Sequence, residues 1–146
     1  MKGRRICFWA FMAYCILMAW LLFVRPQYEP SLAGNSFNYV PFETIGRFVR
    51  VLSGDYGLGL KRHAVINLVG NVLMFVPLGF FSALLWRPFR PFWRCILLGG
   101  GIIVCVELIQ LLARVGSCDV DDLMLNVFGI GGGYGLYRLL GGKYSN

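Results

Sequence analysis

Three carboxylates, Asp119, Asp121 and Asp122, fall within four consecutive positions at the head of a long apolar, glycine-rich run, "LMLNVFGIGGGYG". Carboxylate oxygens suit the amine of a headgroup or a hard divalent cation such as Mg²⁺. Acids this close together on one short loop point apart, which weighs against a metal cluster built from them alone. Asp121 or Asp122 is equally a cap for the helix that follows, since Asp favours the N-terminal turn and its dipole. Other apolar runs also carry polar groups. Asn67 and Asn71 are four apart and share a helical face, and so do Asp122 and Asn126 with Gly129 and Gly133. Glu107, Gln110 and Arg114 share a third face at spacings of three and four. The asparagines suit interhelical hydrogen bonds worth roughly 0.6–2 kcal/mol each, a role that fits Asn126 best. An acid at membrane depth costs on the order of 3 kcal/mol unless it is paired, protonated or hydrated, so Glu107 marks a functional site. The single histidine, His63, sits at a helix edge, and the sequence has no nucleophile–base pair.

Those residues need elements to hold them, and composition says what kind. Of 146 residues, 58% are hydrophobic and only 14% are charged, with a mean hydropathy of +0.65. A soluble domain carries about a quarter charged residues, so the expected solvent is a bilayer. Four runs approach the roughly 20 residues that a helix needs to cross ~30 Å of hydrocarbon: 6–24, 64–86, 95–113 and about 122–140. The predicted fold is therefore an all-α membrane protein, one domain over 1–146, with four transmembrane helices. The first run also resembles a signal peptide, with Lys2, Arg4 and Arg5 before it and "SLAG" at 31–34 after it. Its 19 apolar residues exceed the 7–15 of a signal core, and retention is expected. Pro77 is a place for a kink in the second run.

Basic residues set the expected orientation. Lys2, Arg4 and Arg5, then Arg87, Arg90 and Arg94, then Arg138 and Lys143, all fall on one side of a four-span chain. Both termini are thus expected in the cytoplasm, with a multi-pass chain in the cytoplasmic (inner) membrane. The loop 25–63 and the acidic loop 114–121 then face outward. These clusters and the anionic leaflet account for the net charge of +7; nothing here is a nucleic-acid footprint. With four spans, Asn67, Asn71, Glu107, Gln110, Asp122 and Asn126 all fall within roughly 10 Å of one interface at 1.5 Å per residue. In the long outer loop, 41–52 places Phe42, Ile45, Phe48, Val49 and Leu52 on one arc and Glu43, Arg47 and Arg50 on the other. That pattern fits a short interfacial helix or a segment packed on the bundle. "SGDYGLGL" after it reads as a flexible turn. The five cysteines form no CxxC pair and predict neither disulfides nor zinc. Gly129-x-x-x-Gly133 and Gly131-x-x-x-Gly135 allow close helix contact in lipid, either within the bundle or in a homo-oligomer.

Two blocks, "NLVGNVLMFVPLGF" (67–80) and "ELIQLLARVGSCDVDDLMLNVFGIGGGYG" (107–135), resemble the hallmark blocks of the VanZ-like family. The first matches Asn-x-x-Gly-Asn-x-x-x-Phe-x-Pro-x-Gly through Asn67, Gly70, Asn71, Phe75, Pro77 and Gly79. The second fills Glu107, Gln110, Arg114, Asp119, Asp121, Asp122, Asn126 and Gly129. "VPF" at 40–42 is also similar, and the resemblance covers about 37–140. It implies a bacterial envelope protein of a family named for low-level teicoplanin resistance. By that analogy the partner class is a lipid-linked cell-wall precursor or the glycopeptide itself. Two readings follow. In the first, the chain is a non-enzymatic binder whose outer-leaflet pocket holds a headgroup, with Arg114 on phosphate and the carboxylates on an amine or divalent ion. In the second, it is a membrane enzyme acting on a lipid headgroup or lipid-linked sugar, with Glu107 as acid or base and Asp119, Asp121 and Asp122 around a metal. A transporter is weaker, because four helices without an internal repeat leave little room for alternating access.

Overall fold

The structure, a computed structural model, describes residues 2–24, 37–113 and 118–140. Five α-helices dominate it: α1 (Lys2–Ala19, continued by a π-helical turn over Trp20–Val24), α2 (Glu43–Ser53), α3 (Leu58–Leu85), α4 (Phe92–Ala113) and α5 (Val120–Leu139). A 3₁₀ turn, Arg87–Phe89, joins α3 to α4. The one sheet element among the described residues is a two-residue parallel pairing, β1 (Phe37–Asn38) with β2 (Cys118–Asp119).

Among the described residues three helices are long and apolar enough to cross a membrane: Lys2–Val24, Leu58–Leu85 and Phe92–Ala113. Their surfaces agree with that solvent. Ile6, Trp9, Ile16, Leu73, Leu97 and Leu112 are each more than half exposed, a pattern that water would penalise and acyl chains accept. The chain is a helical membrane protein. α5 is as long as a span but less apolar, because Asp121, Asp122, Asn126 and five glycines occupy it. It can afford them because it is enclosed: its interface with α3 is the most extensive in the molecule, and α4 covers another side.

Glycine makes that enclosure possible. A Cβ on Gly129 would overlap the carbonyl oxygen of Val72, and one on Gly133 that of Val76. From the other side, a Cβ on Gly79 would overlap Ile130 O. The two backbones therefore touch, with α3 and α5 running in the same direction. Ile130 itself is fully buried; its side chain fills the space left by Gly99 of α4, so three helices meet on one residue. Gly131 and Gly135 meet nothing within 4 Å, and thus the second glycine pair plays no part in this seam.

Two hydrogen bonds show which ends belong together. Arg4 Nη2 donates to Leu85 O at 3.0 Å, and Tyr134 Oη donates to Arg90 O at 2.8 Å. The start of α1, the α3–α4 turn and the second half of α5 share one end of the bundle. At 1.5 Å per residue, α3 is about 42 Å long, longer than the hydrocarbon layer. Its first turns carry α2 at the opposite end, through Phe48 and Val51 against Ala64.

Two local expectations need correction. "SGDYGLGL" is not all turn, since α3 already begins at Leu58; Ala64 and Leu60 pack on α2 and hold those extra turns in place. The buried face of α2 is Thr44, Phe48 and Val51, whereas Phe42 and Val49 of the expected apolar arc are exposed. The arc is rotated because polar Thr44 has a bonding partner inside, described below.

The glycine seam yields a differential test. Gly133→Ala should lower the unfolding free energy in detergent by about 1–3 kcal/mol, because a carbonyl of α3 cannot step aside. Gly131→Ala should change it by less than about 0.5 kcal/mol. Equal effects of the two substitutions in a denaturant titration would show that the seam is not where it is placed here.

Candidate binding site at the head of the bundle

The segment Asp119–Asp122 sends its carboxylates in three directions. Asp119 is the N-cap of α5, and its Oδ1 accepts from Asp121 N at 2.9 Å. The same oxygen accepts from Asn38 Nδ2 at 3.0 Å, and Oδ2 accepts from Thr44 Oγ1 at 2.6 Å. Asn38 Nδ2 also reaches Thr44 Oγ1 at 3.0 Å, closing a three-residue ring.

Asp121 points to α2. It is fully buried, and its two oxygens accept from Phe42 N at 2.6 Å and Ile45 N at 2.9 Å. Those donors are the N-cap and third-residue amides of α2, the pair that a capping box would satisfy from within one helix. Phe42 supplies no side-chain cap of its own and sits at φ 66°, a left-handed conformation costing roughly 1–2 kcal/mol for a non-glycine residue. The carboxylate on its amide holds it there. A buried charge is tolerated because two backbone N–H groups and the positive N-terminus of α2 face it.

Asp122 turns inward instead, and its Oδ1 accepts from Asn71 Nδ2 of α3 at 2.6 Å. Asn126 lies one turn further along α5; it is only 6% exposed, and its Oδ1 has no hydrogen-bond partner among the described residues. Asn67, one turn before Asn71 on α3, also has a buried Oδ1 without a partner among the described residues. Glu107 of α4 has a buried Oε2 that has no hydrogen-bond partner among the described residues. Asn71 of α3 and Asp122 of α5 thus meet directly, with Asn67 and Asn126 one helical turn away on their own helices.

Gln110 is elsewhere. It is buried, and its Nε2 donates to Leu22 O at 2.8 Å. That carbonyl belongs to the π-helical turn ending α1, where the last carbonyls lack helical partners; Gln110 fastens α1 to α4. Arg114 lies outside the described residues. For the metal expectation, among the described residues no three His, Cys, Asp or Glu side chains are arranged to hold an ion. The physical reason is the divergence of Asp119, Asp121 and Asp122 toward separate partners. A 310 Å³ cleft between α3 and α5, lined by Val76, Pro77, Phe80, Phe81, Leu136 and Leu140, has no polar lining and takes no part in this chemistry.

Sequence reasoning missed Asn38 and Thr44, which complete the Asp119 ring. Their signal was faint: an Asn three residues before Pro41, and a Thr in the first turn of a short helix.

A helical membrane protein with buried polar groups on three of its helices is the class that this fold and site define. The chain belongs to the VanZ/LLP1 family, whose model matches residues 11–141. That span includes every side chain of the site. Comparisons with curated proteins and with solved structures return no match.

The Asp121 contact predicts a local effect. Asp121→Asn removes the charge and one acceptor, a change worth about 1.5–3 kcal/mol for bonds to a charged group. Amide hydrogen exchange across 42–53 should accelerate about 10- to 100-fold, with α4 unaffected. Unchanged protection of α2 would contradict the role given to this carboxylate.

Proposed function

We propose that this VanZ-like protein is a non-enzymatic component of the bacterial cell envelope. It crosses the cytoplasmic membrane four times with both termini inside, and its polar pocket binds a lipid or cell-wall precursor headgroup in the outer leaflet. Binding there lowers susceptibility to a glycopeptide such as teicoplanin. α5 is the fourth span in this reading: it runs beside α3 in the same direction, and Phe128 and Leu139 are exposed on its outer face. α2 then lies at the outer interface, clamped by Asp119 and Asp121.

The observation that carries the binding reading is a set of buried acceptors that, among the described residues, have nothing to accept from. Asn67 Oδ1, Glu107 Oε2 and Asn126 Oδ1 are all in that state. A buried polar atom without a partner costs about 1–3 kcal/mol, so the arrangement is maintained at the expense of stability and suits an incoming donor. The enzyme reading draws on the same Glu107, as acid or base. Binding is favoured because Asp119 and Asp121, needed beside it for metal-assisted chemistry, already hold Asn38, Thr44 and the start of α2.

Glu107→Gln, at normal protein levels, should raise teicoplanin susceptibility to that of a deletion strain. Envelope lipid profiles of deletion and parent strains should carry the same species. Unaltered susceptibility and labelled-drug uptake on deletion would end the binding reading; a lipid species that appears or vanishes would install the enzyme.

A further inference from the structure

The end of the bundle away from α2 is basic and lies beyond the reach of the chain's acidic side chains. Arg4, Arg87, Arg94 and Arg138 belong to it, through the start of α1, the α3–α4 turn, the first turn of α4 and the last turn of α5. All seven acidic side chains are elsewhere. Glu43 and Asp55 belong to α2 and the turn after it, and Asp119, Asp121 and Asp122 open α5. Glu107 lies about 22 Å along α4 from Phe92. Glu29, outside the described residues, follows Val24 by five positions, a reach of at most about 18 Å. From Val24 back to Arg4 is about 30 Å of helix. A terminal carboxylate would offset one charge among several.

An apolar cleft rises to this same end. Its 310 Å³ are lined by Val76, Pro77, Phe80 and Phe81 of α3 and by Leu136 and Leu140 where α5 closes. At 1.5 Å per residue, Val76 lies about 14 Å below Leu85, close to half of the ~30 Å hydrocarbon layer. The cleft thus runs through one leaflet. Leu85 is one helical turn beyond Phe81, and its carbonyl accepts from Arg4 Nη2 at 3.0 Å. α1 is held beside the cleft by Phe11, whose ring centroid lies 5.8 Å from that of Phe81 and 5.2 Å from that of Trp86. A guanidinium has five N–H donors in a fork that fits phosphate, so one bond to a carbonyl leaves others for a second acceptor. Arg87, two positions after Leu85, is exposed. Residues 141–146, "GGKYSN", have no aliphatic side chain with which to seal the cleft.

We propose that this end of the bundle holds one phospholipid with a net anionic headgroup, taken from the leaflet at that end. Its acyl chain lies in the cleft, and its phosphate meets Arg4 and Arg87. This site goes beyond the headgroup reading above and does not rest on it, since the two share no residue. A lining without polar atoms suits a hydrocarbon chain and offers nothing to a soluble anion. A zwitterionic headgroup would bring a further cation to a place already rich in them, whereas a lipid charged only on its phosphate adds the missing sign. An acidic protein would use the arginines but not a cleft sunk in hydrocarbon.

The experiment uses the purified full chain in neutral detergent, read by native mass spectrometry. Palmitoyl-oleoyl-phosphatidylglycerol should bind at least about tenfold more tightly than the matching phosphatidylcholine, the preference expected from two arginines near a headgroup. Arg4→Gln should remove most of that preference, and Leu136→Trp, which fills the cleft and leaves every charge in place, should weaken binding of both lipids. Arg138→Gln, an equal loss of charge at the same end but away from the cleft, should leave the preference within about twofold. The comparison of the two lipids on the unmodified chain stands even where a variant fails to fold. Equal affinity for the two lipids overturns the anionic assignment. A preference that falls equally in Arg4→Gln and Arg138→Gln and survives Leu136→Trp is diffuse surface attraction and overturns the site. Binding of poly-L-glutamate with no preference between lipids assigns the basic end to an acidic protein, and likewise overturns it.

Discussion

Val72 O and Val76 O of α3 lie where side chains of α5 would stand if Gly129 and Gly133 were any other residue. That backbone contact sets the register of the two helices. In that register Asp122 meets Asn71, and Asn126 is sealed beneath it. α4 joins through Gly99, which receives Ile130, and it brings Glu107 to the same end. In lipid there is no hydrophobic drive to pull helices together, so close packing through glycine is what allows polar side chains to be held at depth in fixed positions.

Once α5 is seated, its first turn organises the segment outside the bundle. Asp119 and Asp121 bind residues 38–45 through the Asn38 and Thr44 side chains and through the amides of Phe42 and Ile45. Two acids of the run are thus occupied with architecture, and the third meets Asn71. The answer to why so much charge stands beside so apolar a helix is that each carboxylate has a different correspondent: α2, the Asn38–Thr44 pair, and Asn71. Strain in Phe42 at φ 66° is offset by the buried carboxylate that receives its amide.

The apolar runs were legible because membrane helices advertise themselves by length, and helices α1, α3 and α4 fall where those runs are. Glycine packing was legible in kind, since small residues four apart have few other uses in such a helix. Which face of α5 used them was not, because Gly129–Gly133 and Gly131–Gly135 look alike until α3 is placed. The roles of Asp119 and Asp121 were hidden for a different reason. Their partners are more than 70 positions away, and half of those partners are backbone amides, which leave no trace in a sequence. Gln110 escaped likewise: its spacing from Glu107 suggested a shared site, but its partner is a main-chain carbonyl of α1. For α2, amphipathic periodicity found the helix but missed its rotation, because Thr44 is buried through a bond and not through apolarity.

The arrangement at the head of the bundle depends on α3 and α5 meeting in the register described. Paired Asn71→Cys and Asp122→Cys substitutions, in a chain cleared of its own cysteines, place two thiols where side chains now share a 2.6 Å hydrogen bond. A short bifunctional thiol reagent applied to intact membranes should join them in high yield, while a control pair at 71 and 138 stays unjoined. Failure of the first pair to cross-link, or joining of the control instead, would place these side chains at different depths and overturn the register.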